Sequence, residues 1–137
     1  MKYNEAVRYA QSLIYIDFKR VFEVDELPEN ARLIIENCLS LESKPDFILP
    51  NSEHTSLTDW LVETIGELDG EELLFKSDSL YWKYWLDIII TNYRSFLNQY
   101  LSTSSTNEFY LINPASGKVC VLLNEEYQYC LFIKYIS

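Results

Sequence analysis

Residues 79–101 read SLYWKYWLDIIITNYRSFLNQYL, and how they fold decides what the rest of the chain can pack against. Trp82, Trp85, Leu86, Ile89, Tyr93, Phe96, Leu97 and Tyr100 recur at the spacing of one wide helical face. Leu80, Tyr81, Tyr84, Ile88 and Ile90 add apolar bulk on other sides, which predicts a helix over about 79–101 buried on several sides. The β-branched run Ile88-Ile89-Ile90-Thr91 leaves a strand reading open for its middle.

Downstream, Ser102-Thr103-Ser104-Ser105-Thr106 is a polar break and the period then changes. Phe109 to Ile112, Lys118 to Leu123 and Tyr127 to Ile136 read as three strands. Asn113-Pro114-Ala115-Ser116-Gly117 supplies the turn chemistry for the first connection, and Asn124-Glu125-Glu126 is a second, shorter one. Val119, Val121 and Leu123 alternate with Cys120 and Leu122, so both faces of that strand are apolar.

Upstream, Asn4 can cap a helix whose stripe is Val7, Ala10, Leu13, Ile14, Phe18 and Val21. Pro28 suits the first turn of a second helix with Ala31, Ile34, Ile35, Cys38 and Leu41. Residues 43–55 read as a loop in which Phe47-Ile48-Leu49 is a short strand or a hydrophobic clip. Ser56 with Asp59 resembles a capping box, opening a third helix with Leu57, Trp60, Leu61, Ile65 and Leu68. Asp69-Gly70 ends it in a turn. The chain therefore reads as one α+β domain over 1–137. About four N-terminal helices (an acidic part, 1–101) are expected to pack on a C-terminal three-stranded antiparallel meander (106–136).

Hydrophobic residues make up 48% of the chain and aromatics 15%, enough to bury a core and to exclude disorder. Charged and polar residues interrupt the first 22 positions, so no secretion signal is expected, and no apolar run reaches the length of a membrane span. A cytoplasmic protein is the expectation. Cys38, Cys120 and Cys130 are an odd count, read as reduced, small hydrophobes. Cys120 and Cys130 lie opposite each other if the turn between their strands centres near Glu125.

Net charge is −10 and it is not spread evenly. Residues 21–75 hold fourteen acids against Arg32 and Lys44, a net of −12, while the remainder nets +2. Such a field repels nucleic acid and anionic membranes and attracts a basic protein, with strong salt dependence.

Catalytic signatures are weak. His54 stands near Ser52 and Ser56 without a Gly-rich elbow to build an oxyanion hole. Asp25 with Glu42 and Lys44 resembles the acid-acid-Lys spacing of metal-dependent nucleases, but Glu42 and Lys44 fall at a predicted helix end. Glu67, Asp69, Glu71 and Glu72 do not match an EF-hand loop. Three Gly residues cannot supply a phosphate loop. No metal, cofactor or catalytic residue is expected. The aromatic cluster Trp60, Tyr81, Trp82, Tyr84, Trp85 is mostly core at helical spacing, with Tyr81 and Tyr84 the candidates to reach a surface.

Residues Tyr110 to Leu122, a strand, a Gly-Lys turn and a second strand, resemble the hairpin of small bacterial immunity proteins of the SMI1/KNR4 (SUKH) type. The resemblance implies a neutraliser of a cytoplasmic toxin, often a nuclease, with no catalytic residues of its own. With the charge map it leads to an expected acidic inhibitor that occludes a basic protein and binds neither nucleic acid nor membrane directly. The expected contacts are Asp59, Glu63, Glu67, Asp69, Glu71 and Glu72, with Tyr81 as aromatic anchor. A phage-encoded antagonist of the anti-CRISPR kind, mimicking nucleic acid, fits the same features. An oligomeric structural protein or an enzyme with an uncommon carboxylate site are alternatives of other classes.

Overall fold

Residues 84–90 are a strand, not the middle of a helix, and the architecture follows from that. The computed structural model describes residues 2–136. In chain order the elements are α1 (Lys2–Ser12), β1 (Ile16–Glu23), α2 (Glu29–Cys38), β2 (Phe47–Pro50), α3 (Leu57–Ile65) and β3 (Glu72–Ser77). They continue as β4 (Tyr84–Ile90), α4 (Tyr93–Thr103), β5 (Phe109–Asn113), β6 (Lys118–Asn124) and β7 (Gln128–Tyr135). The strands form one sheet in the order β1-β4-β3-β5-β6-β7-β2, with every neighbouring pair antiparallel.

The protein is α+β, but the expected three-stranded meander under four N-terminal helices is corrected. β5, β6 and β7 are one flank of a seven-stranded sheet, and the other four strands come from the part expected to be helical. Two physical causes account for the difference. In β4 every residue but Ile89 is buried, because both faces of the strand are covered. A strand apolar on both sides shows no alternation and is easily matched to a buried helix. In β1 a bulge falls between Phe18 and Arg20. It puts Ile16, Phe18 and Val21 on one face, at steps of two and then three residues, and the last step mimics helical spacing. α1 has already ended at Ser12, and Tyr15 takes the left-handed conformation at φ 66° to turn into β1.

Three helices cover one face of the sheet. Ala6 and Ala10 of α1, Trp60, Leu61 and Ile65 of α3, and Phe96, Leu97 and Tyr100 of α4 pack there on Phe75, Leu86, Ile88, Leu111 and Leu122. Phe75 meets Phe96 and Tyr100 edge-on at 5.4 and 5.3 Å between centroids, a favoured aromatic geometry. Among the described residues, α2 is the one α-helix on the opposite face, where Ala31, Ile35 and Cys38 cover Trp85, Val121, Cys130 and Phe132. The α3 and α4 starts are capped by side chains: Ser56 accepts from Asp59 N–H and Asn92 from Ser95 N–H, each at 3.0 Å.

Asp78 fastens the β3–β4 connection to the segment between α4 and β5. Its carboxylate accepts from Ser104 Oγ at 2.6 Å, Thr106 N–H at 2.8 Å and Thr106 Oγ1 at 2.6 Å. The Tyr100 hydroxyl accepts from Asp78 N–H and donates to the Glu108 carbonyl at 2.6 Å, closing the same junction from the helix side. Burial alone would raise the Asp78 carboxyl, but the hydrogen bonds from Ser104 and Thr106 outweigh it and hold it below the usual range. Asp78→Ala strands three donors. It is expected to lower the unfolding free energy by roughly 3 kcal/mol in urea melts, with Asp78→Asn losing less. An unchanged midpoint for D78A would show that the junction is held by packing alone.

Candidate functional site

The acids expected to act together are divided by the fold. Asp59 and Glu63 stand four residues apart on the outer side of α3, Glu67 follows the helix-ending Gly66, and all three are exposed. Asp59 is ion-paired with Arg94 of α4, which holds its carboxyl below the ordinary value, helped by the Ser56 side chain. Glu63, Glu67 and Glu71 make no ion pair among the described residues.

The remaining candidates have other work. Asp69 Oδ1 accepts from Tyr93 N–H at 2.6 Å and so satisfies one of the free donors at the start of α4. Glu72 points to the opposite side of the sheet, where Lys19 Nζ is 3.1 Å away. Tyr81 sits on the β3–β4 connection, at the other end of β3 from Glu72. Six residues of strand, about 20 Å, lie between those two ends. Tyr81 is 41% exposed, beside Trp82 and under Lys2 Nζ at 5.0 Å from its ring centre. It cannot anchor a partner held at Glu67 without a contact that runs the length of the strand.

On the α2 side the pleat and register set up two rows of side chains across the strands. One is Phe22, Trp85, Lys76, Tyr110, Val121 and Phe132. The other is Arg20, Asp87, Leu74, Ile112, Val119 and Lys134. Lys76 is a cation set between aromatic neighbours, and burial lowers it to about 8. Its Nζ donates to the carbonyls of Leu80 at 3.0 Å and Tyr81 at 2.6 Å, which fixes the β3–β4 connection and leaves Trp82 67% exposed.

Asp87 is only 7% exposed, with Oδ2 3.7 Å from Arg20 Nε and Oδ1 buried without a donor of its own. Its neighbour is the Glu72 carboxyl, a second acid whose charge opposes ionisation of Asp87. Burial first, then the hydrogen bond and charge of Glu72, push the Asp87 carboxyl up to about 6, against the pull of Lys19 and Arg20. The hydrogen bond with Asp87, followed by Lys19, holds Glu72 low. No sequence signal pointed to this pair, because the two residues belong to different strands fifteen positions apart.

The other chemical candidates stay apart. His54 is exposed in the loop before α3. Asp25 precedes α2 while Glu42 and Lys44 follow it, so the helix, about 15 Å long, separates them. No group of three or more His, Cys, Asp and Glu that could hold a metal occurs among the described residues. All three cysteines are free and buried. Cys120 pairs with Ile133 and Cys130 with Leu123, which places the two thiols on opposite faces of the sheet. Burial pushes Cys120 up to about 12, far from thiolate reactivity at neutral pH. No helix among the described residues is long and apolar enough to cross a membrane.

No protein-family model matches the chain, and neither a curated protein nor a solved structure matches it.

The raised Asp87 carboxyl has a measurable consequence. A carboxyl whose folded value lies above its unfolded value of about 3.9 stabilises the fold while protonated. That contribution is complete below about pH 4 and is lost as pH rises through about 6. The difference in unfolding free energy between wild type and D87N is expected to shift towards D87N from about pH 4 to about pH 7, read from urea melts at each pH. A constant difference would show that the Asp87 carboxyl is not raised in the folded protein.

Proposed function

We propose that the protein is a small acidic inhibitor that binds and occludes a basic protein, as a toxin-immunity protein of the SUKH type would. The observation that supports this reading is a run of carboxylates on and just after α3: Asp59 and Glu63 exposed on the helix, Glu67 exposed beyond its end, and the half-buried Glu71 next along the chain. Among these four, only Asp59 has a cation within ion-pair distance in the described residues. The row belongs to a segment with a net charge of −12, so its field is not cancelled locally.

The mechanism is occlusion. A protein that acts on nucleic acid holds phosphates with Lys and Arg, and the carboxylates on and just after α3 compete for the same groups. Long-range attraction raises the association rate, and the contact itself sets the release. Asp69, Glu72 and Tyr81 drop out of the proposed contact, since the first two serve the fold and the third lies at the far end of β3. In this reading the protein works in the cytoplasm, where free buried cysteines stay reduced.

The test uses wild type and the triple reversal E63K/E67K/E71K, none of which touches a fold junction. Tagged proteins are used to capture partners from lysate of the source cells at low and at high salt, and affinity is then measured for the captured protein. Wild type is expected to hold a basic protein that dissociates as salt rises. The reversal is expected to weaken binding by about tenfold or more and to flatten the salt dependence. Equal affinity with the same salt slope would place the contact elsewhere on the molecule.

A further inference from the structure

Where α2 crosses the sheet its side chains do not close on the β3–β4 connection. Two adjoining cavities, of about 140 Å³ and 170 Å³, remain on either side of Trp82, Lys76 and Tyr110. The first has apolar walls from Leu27, Ile35, Trp85 and Tyr110, and Arg32 and Glu36 reach it from α2. It holds the volume of roughly five waters, the bulk of one substituted ring.

Arg32 is the unusual lining residue. Its Nε is buried and has no hydrogen-bond partner, a state that folded proteins rarely leave unanswered. Glu29 and Glu36 lie three and four positions away on the same helix, yet no ion pair to Arg32 forms among the described residues. A planar guanidinium with free N–H groups is the best side chain for gripping a carboxylate through two parallel hydrogen bonds. The other cation, Lys76, is not available, because its Nζ is held by the Leu80 and Tyr81 carbonyls. The cavity thus offers one uncommitted positive charge. That matches a monoanion and is poorly suited to a doubly charged phosphate, the more so with Glu36 and Glu108 at the rims. The flat surfaces are equally specific. The Trp85 and Tyr110 rings lie 6.2 Å apart in the wall, and the exposed Trp82 stands at the mouth.

We propose that this cavity is a binding site for a flat, apolar monocarboxylate, with the carboxylate on Arg32 and the ring against Trp82 and Tyr110. The ligand is either a free aromatic acid or the terminal carboxylate of a peptide ending in an aromatic residue. The site is remote from the α3 row, so its failure would leave the inhibitor reading untouched.

The experiment titrates the full chain with benzoate and phenylacetate, following tryptophan fluorescence, with phenylacetamide as the uncharged control. A second arm uses a short peptide ending in Phe, with a free or an amidated C-terminus. The acids are expected to bind saturably and the amides not to bind. R32M and W82A should each weaken binding by about tenfold or more, R32K by less, because Lys keeps the charge and loses the fork. E36Q should tighten it by removing a competing carboxylate. Binding of the free acids identifies a small-molecule site, and binding of the peptide acid alone identifies a peptide terminus. The proposal is overturned if neither the free acids nor the peptide acid binds, if R32M binds as wild type does, or if the amides bind as well as the acids. The last comparison needs only wild-type protein and decides the matter even if R32M does not fold.

Discussion

Three helices lie on one face of the seven-stranded sheet and one lies on the other, and the single helix is too short to cover what it faces. Six strand spacings amount to about 29 Å, while ten helical residues reach about 15 Å. The face of the sheet that carries α2 must therefore be finished by other means. Across β1, β4 and the start of β3 it is finished with charge, through Lys19, Arg20, Asp87 and Glu72. Beside the β3–β4 connection it is finished with aromatic rings and a tethered lysine, and the packing leaves cavities. Both distinctive sites on this face arise from that shortage of cover.

The charged corner also protects the sheet. β1 is an edge strand, and a bulge at Lys19 with charges at Asp17, Lys19, Arg20 and Glu23 discourages another strand from pairing there. The opposite edge, β2, is only four residues long and ends in Pro50, which has no N–H to offer. Asp87 is the most constrained member of the corner. It is buried beside Glu72 as well as Arg20, and burial together with the neighbouring acid raises its carboxyl. The acidic composition is thus not one feature but several. Asp69 caps α4, Asp78 ties two connections together, and Glu72 pairs with Lys19 beside the buried Asp87. Glu63, Glu67 and Glu71 have no such work in the fold, and that freedom is what makes them candidates for a partner.

Local chemistry made part of the fold legible. Pro28 with the Ala31, Ile35 and Cys38 stripe marked α2, and Ser56 with Trp60, Leu61 and Ile65 marked α3. The Asn113–Gly117 turn was readable because Gly117 takes φ 78° and its N–H returns to the Asn113 carbonyl at 2.8 Å. The charge segregation that leads to an acidic binding face is likewise a property of the sequence alone. These signals share a feature: each depends on residues within about one turn of one another.

Pairing decided the rest, and pairing is not local. β4 is covered on both faces and so carries no period to read, and the bulge in β1 imitates a helix. The register of β6 on β7 centres between Glu126 and Tyr127 rather than at Glu125, and that odd shift puts Cys120 and Cys130 on opposite faces. The same non-local choices divided the acidic segment, sending Glu72 to one face of the sheet and leaving Glu63 and Glu67 on the other side. They also set Arg32 over Trp85 and Tyr110. Sequence determined which short segments form helices and turns and where the charge accumulates, because neighbouring residues settle those. Only the tertiary structure decided which side chains meet, because a strand's partners are chosen by burial of both its faces across the whole sheet.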